Sequence, residues 1–218
     1  MVEAQPIGLE IFLREYPNMR VIPSRDNVDT LNGEFDFTAA PANLPNITDS
    51  YYLNIAIPSR FPSEVPLVTE IDKKIPRDGR HHVNPDDTLC LGSPLRLLWK
   101  LNRRPSFSGF AEECLVPYLY GMSHKLMYGI FPFGELAHGK SGIIADYFDL
   151  FGLRDKTQVF DAFARLSNKK RVANKQPCPC GCGKRLGACR YHLKLAEIRK
   201  LAARSWFRQH RVDICAGV

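Results

Sequence analysis

What the 218-residue chain lacks narrows its class before any motif is read. No apolar run reaches the roughly 18 residues that a membrane-crossing helix needs. The opening Met1-Val2-Glu3-Ala4-Gln5-Pro6 has no basic-then-apolar order, so no secretory leader is expected and a cytoplasmic protein is. No Gly-rich phosphate-binding loop occurs, which leaves out a nucleotide-binding unit. The seven cysteines are odd in number and unevenly spread. Four fall between Cys178 and Cys189, while Cys90, Cys114 and Cys215 are scattered. That spread speaks against a disulfide framework and for one metal cluster plus isolated thiols. Acidic residues almost vanish from the C-terminal quarter. Residues 165–218 hold 14 Lys/Arg against 2 Asp/Glu, net +12, whereas residues 1–164 hold 16 against 21, net −5. The overall charge of +7 therefore belongs to the tail.

What remains is an ordinary globular composition, 44% hydrophobic and 11% aromatic, long enough for one sizeable core and an appendage. Leu9, Phe12, Leu13 and Tyr16 recur at helical spacing within residues 5–16, and Tyr16-Pro17 ends that helix. Strands are predicted at 19–22, 31–37, 51–57 and 67–71, the second and third alternating with period two. The proline-rich run 58–66 cannot be a strand interior. Helices are predicted over 108–127, 139–152 and 156–167; Phe110, Cys114, Leu115, Leu119, Met122 and Leu126 line the first of them. Cys114 is then a core thiol. Strands followed by helices define an α+β domain over residues 1–167. The polar, basic stretch 168–177 reads as a linker, and 178–218 as a small metal-binding tail.

One stretch of the first domain bears chemistry: His81-His82-Val83-Asn84-Pro85-Asp86-Asp87-Thr88-Leu89-Cys90-Leu91-Gly92. A cysteine between two leucines is either a core thiol or a displayed nucleophile. Asn84-Pro85-Asp86-Asp87 is turn chemistry, so Cys90 emerges from a loop, beside groups able to orient a partner or donate to an oxyanion.

The order of these pieces resembles the ubiquitin-conjugating enzyme superfamily, particularly its bacterial branch, over about residues 5–155. The resemblance is carried by the N-terminal helix, Tyr16-Pro17, Gly33–Phe37, Tyr51–Ile57 leading into Pro58–Pro66, and His82–Leu91. It implies a helix, a four-stranded antiparallel meander and C-terminal helices. It also implies a cysteine transferase that carries a modifier protein's C-terminus on Cys90 as a thioester and passes it to an amine. The family's His-Pro-Asn triplet stands further ahead of its cysteine; here His82-Val83-Asn84-Pro85 occupies that region, making His82 and Asn84 candidate site residues. Gly134–Gly139 is similar to a motif of bacterial members and adds His138. Length and the cysteine-rich tail are most similar to the stand-alone conjugating enzymes of cyclic-oligonucleotide antiphage defence operons. That likeness implies a cGAS-like nucleotidyltransferase as modifier or substrate, and acceptor proteins with free amines. Two other readings stay open: a non-catalytic adaptor, and a cysteine hydrolase of such conjugates pairing Cys90 with His82 or His138.

In the tail, Cys178-Pro179-Cys180-Gly181-Cys182-Gly183-Lys184 through Cys189 and His192 concentrates thiolates and an imidazole in fifteen residues, a donor set suited to tetrahedral structural zinc. The run is similar to the zinc motif at the tail of the bacterial SecA motor protein. Cys178, Cys180, Cys189 and His192 are the expected ligands, with Cys182 a fifth candidate for four places. A basic helix is predicted over 193–210. Protein docking is the expected role of its apolar stripe, on a partner or on its own domain. Nucleic-acid contact is not expected, since no aromatic stacking platform is interleaved with the charges.

Overall fold

The computed structural model describes residues 7–22, 29–134 and 139–216, which form two compact units, residues 1–136 and 137–218. The first unit opens with α1 (Leu9–Glu15), whose Leu9 and Phe12 are buried. Four strands follow: β1 (Met19–Ile22), β2 (Thr30–Ala39), β3 (Ile47–Ala56) and β4 (Leu67–Glu70), paired in sequence order and antiparallel throughout. This is the expected meander within an α+β unit. Period-two alternation sets its faces: Leu31, Phe35 and Phe37 of β2 turn inward beside Tyr51, Leu53 and Ile55 of β3. Phe12 and Tyr16 pack on Phe35, the Tyr16 and Phe35 rings stacked at 4.2 Å. Gly33 lies opposite Met19 where the strands approach closely; a Cβ there would sit 2.1 Å from the Asn18 carbonyl, so only glycine fits.

Two departures from the predicted helices follow from proline chemistry. A helix α2 (Pro94–Arg103) stands where none was expected, burying Leu95, Leu97, Leu98 and Leu101. Its start is written as Ser93-Pro94, a capping residue followed by proline at the first helical position. The long helix predicted over 108–127 is three pieces: α3 (Phe107–Phe110), a π-helical segment (Ala111–Leu115) and α4 (Val116–Tyr128). Pro117 has no N–H to give and falls in the first turn of α4, and the wider π turn precedes it. The expected apolar face persists, with Phe110, Cys114, Leu115, Leu119 and Met122 buried; Leu126 alone is exposed.

The second unit contains α5 (Gly139–Phe151), α6 (Lys156–Ser167), α7 (Lys170–Ala173), α8 (Tyr191–Ile198) and α9 (Arg204–Cys215). Tyr147, Phe151, Phe163 and Phe207 are fully buried in it. The stretch 168–177, expected to be a linker between domains, lies inside this unit: α7 forms there and Ala173 is buried. Helices 139–151 and 156–167 thus share a unit with the cysteine-rich tail. The single basic helix predicted over 193–210 is broken at residues 199–203. The break lets Arg199 donate to the carbonyls of Arg165, Leu166 and Asn168 at 2.7–2.8 Å, capping the C-terminus of α6. Of the expected apolar stripe, Leu195, Ile198 and Leu201 are buried, while Ala202 and Trp206 are only half-buried and the neighbouring Phe207 is buried in Trp206's stead.

Candidate functional site

In the first unit, residues 83–89 form a tight hairpin that delivers Cys90. Val83 bridges Leu89, and Thr88 bridges Thr69 of β4. The Asn84–Thr88 turn closes through Asn84 N–H to the Thr88 carbonyl at 2.8 Å and Asp87 N–H to the Asn84 carbonyl at 3.0 Å. Asp87 takes the left-handed φ of 64° that an Asn/Asp turn tolerates. Side chains tighten the turn: Asn84 Nδ2 donates to Thr88 Oγ1 at 2.9 Å, and Thr88 Oγ1 to Asp86 Oδ1 at 2.6 Å. Leu89 N–H then reaches the Val68 carbonyl at 2.7 Å, so the segment before Cys90 is stitched to the edge of the sheet.

Cys90 is fixed by its backbone. Its N–H donates to the His82 carbonyl at 2.8 Å. The Tyr118 hydroxyl of α4 donates to the His81 and His82 carbonyls at 3.0 and 3.3 Å, so helix, loop and cysteine share one acceptor. The side chain is half-buried. Burial pushes the thiol above its ordinary range, while the Gly92 backbone N–H pulls the other way. His82 has left-handed backbone, φ 52° and ψ 42°, and its ring meets Phe131 edge-on at 5.2 Å. His81 Nδ1 lies 2.7 Å from Asp78 Oδ1, and this contact holds the Asp78 carboxyl below the usual range. Asn84 is thus a turn-locking residue by geometry. His138 lies outside the described residues.

Beneath the loop, Glu70 at the end of β4 is fully buried. It accepts the backbone N–H groups of Lys74 and Ile75 at 3.2 and 3.3 Å. Arg77 donates to the Glu70 carbonyl, pairs with its carboxylate at 3.4 Å and approaches Asp87 at 3.8 Å. The guanidinium therefore ties β4 to the turn that precedes Cys90. Nothing in the residue spacing of the strand predicted over 67–71 announces this buried pair.

In the second unit, the thiol sulfurs of Cys178, Cys180, Cys182 and Cys189 all lie within 4.8 Å of one another. Cys178 and Cys180 are 3.2 Å apart, and Cys180 and Cys189 3.8 Å. Four thiolates around one tetrahedral ion with metal–sulfur bonds of about 2.3 Å stand roughly 3.8 Å apart, so the donor set fits a metal. A short hairpin builds the group. Cys178 N–H donates to the Lys184 carbonyl at 2.8 Å, Leu186 N–H to Gln176 at 2.8 Å, and Pro177 bridges Arg185. Gly181 and Gly183 supply the left-handed turns, at φ 77° and 74°, that fold three cysteines onto one point.

His192 is not in the group; its Nδ1 lies 2.7 Å from the Cys189 carbonyl, and Cys182 takes the fourth place. The Lys184 backbone N–H and the Cys180 thiol pull Cys182 down to about 7, whereas burial pushes Cys178 up. Among the described residues, no helix is long and apolar enough to cross a membrane. Comparison with protein-family models, with curated proteins and with solved structures finds no match for the chain.

Proposed function

We propose that the first unit is a ubiquitin-conjugating-type transferase and that Cys90 is its acyl carrier. The observation that carries this reading is a single half-buried thiol, directly after a hairpin stitched to the last strand of a four-stranded meander and held by its own N–H. The chemistry follows from that placement. Cys90 Sγ, as thiolate, attacks the carbonyl of a modifier's activated C-terminus and expels the donor's leaving group, leaving a thioester. An acceptor lysine, as free amine, then attacks that carbonyl. The tetrahedral intermediate collapses, the amide bond forms, and Cys90 leaves as thiolate while the amine's proton passes to solvent. A thioester needs no strong base for aminolysis, so positioning is the main requirement. A hydrolase would instead need an imidazolium beside the sulfur, which lowers a thiol's pKa.

In the second unit the four cysteines hold zinc, in a closed thiolate site that leaves no position for substrate, so the ion's role is structural. The resemblance to antiphage conjugating enzymes makes a cGAS-like nucleotidyltransferase the first modifier to try. Co-expression with it, followed by intact-mass and non-reducing gel analysis, tests the assignment. Wild type should carry a thiol-sensitive adduct. Cys90→Ser should carry a thiol-resistant one, and Cys90→Ala none. Co-purification without any adduct in wild type would favour the adaptor reading.

A further inference from the structure

The second unit carries a basic surface that neither the thiol chemistry nor the metal site uses. No Asp or Glu occurs from residue 162 to 196. Within that span, Lys169, Lys170, Arg171 and Lys175 lie on and around α7, and Lys184 and Arg185 lie on the return strand of the metal hairpin. The backbone brings the two groups together: Gly187 N–H donates to the Asn174 carbonyl at 2.9 Å and Leu186 N–H to Gln176 at 2.8 Å. The two segments thus run side by side. All six cations are exposed, and among the described residues none pairs with a carboxylate.

We propose that this surface binds the phosphodiester backbone of nucleic acid. Protein interfaces are poor in lysine and depend on buried aromatic or aliphatic anchors. Here three of the four cations around α7 are lysine, and Val172 is the sole large apolar side chain exposed between residues 162 and 190 among those described. Leu195, Ile198 and Leu201 of the apolar stripe that could have docked a partner are buried in the unit's own core, and Trp206 is half-buried against His210. What remains is charge without anchors; the missing stacking rings, which told against nucleic acid in the sequence, exclude stacking on bases but not contact with backbone phosphates. The metal hairpin fixes one of the two cationic arms, so the surface is built before its ligand arrives.

The inference stands apart from the thioester reading, because Cys90→Ala removes the carrier thiol and leaves this surface untouched. The test is fluorescence anisotropy of the full-length, zinc-loaded chain with a labelled mixed-sequence DNA duplex and with an RNA of equal length. Binding to at least one is expected, falling about a hundredfold or more between about 50 and 200 mM salt. The paired variants K170A/R171A and K184A/R185A should each lower the slope of log affinity against log salt by about two, at unchanged zinc content. Cys90→Ala should bind as wild type does. Absence of binding to both nucleic acids at about 50 mM salt would overturn the proposal, as would affinity indifferent to both paired variants. Equal or tighter binding to poly-glutamate or to phosphatidylserine vesicles would overturn it too, since the surface would then answer to an acidic protein or a lipid face.

Discussion

Cys90 in the first unit and the Cys178–Cys189 group in the second place the same side chain in two opposite settings. Cys90 is solitary, half-buried and held through its backbone by His82, Tyr118 and the hairpin on β4. The four tail thiols are within 4.8 Å of one another, on a hairpin whose geometry their own spacing dictates. The first arrangement spends backbone hydrogen bonds to present one sulfur. The second has little core of its own along residues 176–189 and gathers four sulfurs at a spacing that fits one cross-linking ion. Position relative to the main chain, rather than cysteine itself, separates one presented thiol from four gathered ones.

The largest break in that contrast is metal loss. Cys180→Ser should abolish one-to-one zinc, read by elemental analysis, and destabilise the second unit by something on the order of 5 kcal/mol. That is a part of the roughly 10–16 kcal/mol that structural zinc supplies to small metal peptides, because α5, α6 and α9 retain a core without it. Cys90→Ala should leave zinc content and the second unit's unfolding unchanged. Equal loss of zinc in both variants would mean that the two thiol settings are not independent.

A smaller effect separates the units by pH instead of by metal. His210 of α9 is buried, its Nε2 2.6 Å from the Tyr147 hydroxyl and its ring stacked on Trp206 at 4.7 Å. Burial pushes its pKa down to about 4, with Asp213 opposing. The unfolded chain takes up this proton near pH 6.5 and the folded chain only near 4. Stability is therefore whole above about pH 6.5 and is lost as pH falls towards 4, by about 3 kcal/mol. His210→Phe should flatten that acid limb in the second unit, measured by denaturant unfolding at stepped pH, and leave the first unit's pH response unaltered. An acid limb as steep in the variant as in wild type would assign the sensitivity to other groups.

These features were unequally legible. The strands were readable because their faces alternate in a period-two code, and Leu31, Phe35, Leu53 and Ile55 indeed share the inner face. The cysteine group was readable because its spacing is local. Which side chains gather was not, since two glycines with left-handed φ bring Cys182, and not His192, beside the other three sulfurs. Helix α2 is announced only by Ser93-Pro94, a cap followed by proline at the first helical position. The break after α8 could not be read, because it serves Arg199's contacts with carbonyls more than thirty residues earlier in the chain. Likewise the anchoring of Cys90 depends on carbonyl oxygens and on Tyr118, neither of which periodicity reports.

That anchoring gives the subtlest test of how a lone thiol is presented. Burial pushes the Tyr118 phenol far above its ordinary range, so its hydroxyl stays a donor to the His81 and His82 carbonyls at every usable pH. Tyr118→Phe removes that donor while keeping the ring in place, and a hydrogen bond of this kind contributes about 1 kcal/mol. The His82 carbonyl would retain the Cys90 N–H, so the hairpin should persist with a looser hold. Iodoacetamide labelling of Cys90, followed by peptide mass analysis, should quicken up to about fivefold, the equivalent of 1 kcal/mol in local opening. Zinc content should not move. Unchanged labelling at Cys90 would mean that the stitching of Leu89 to β4 holds the thiol alone, and that the helix merely covers it.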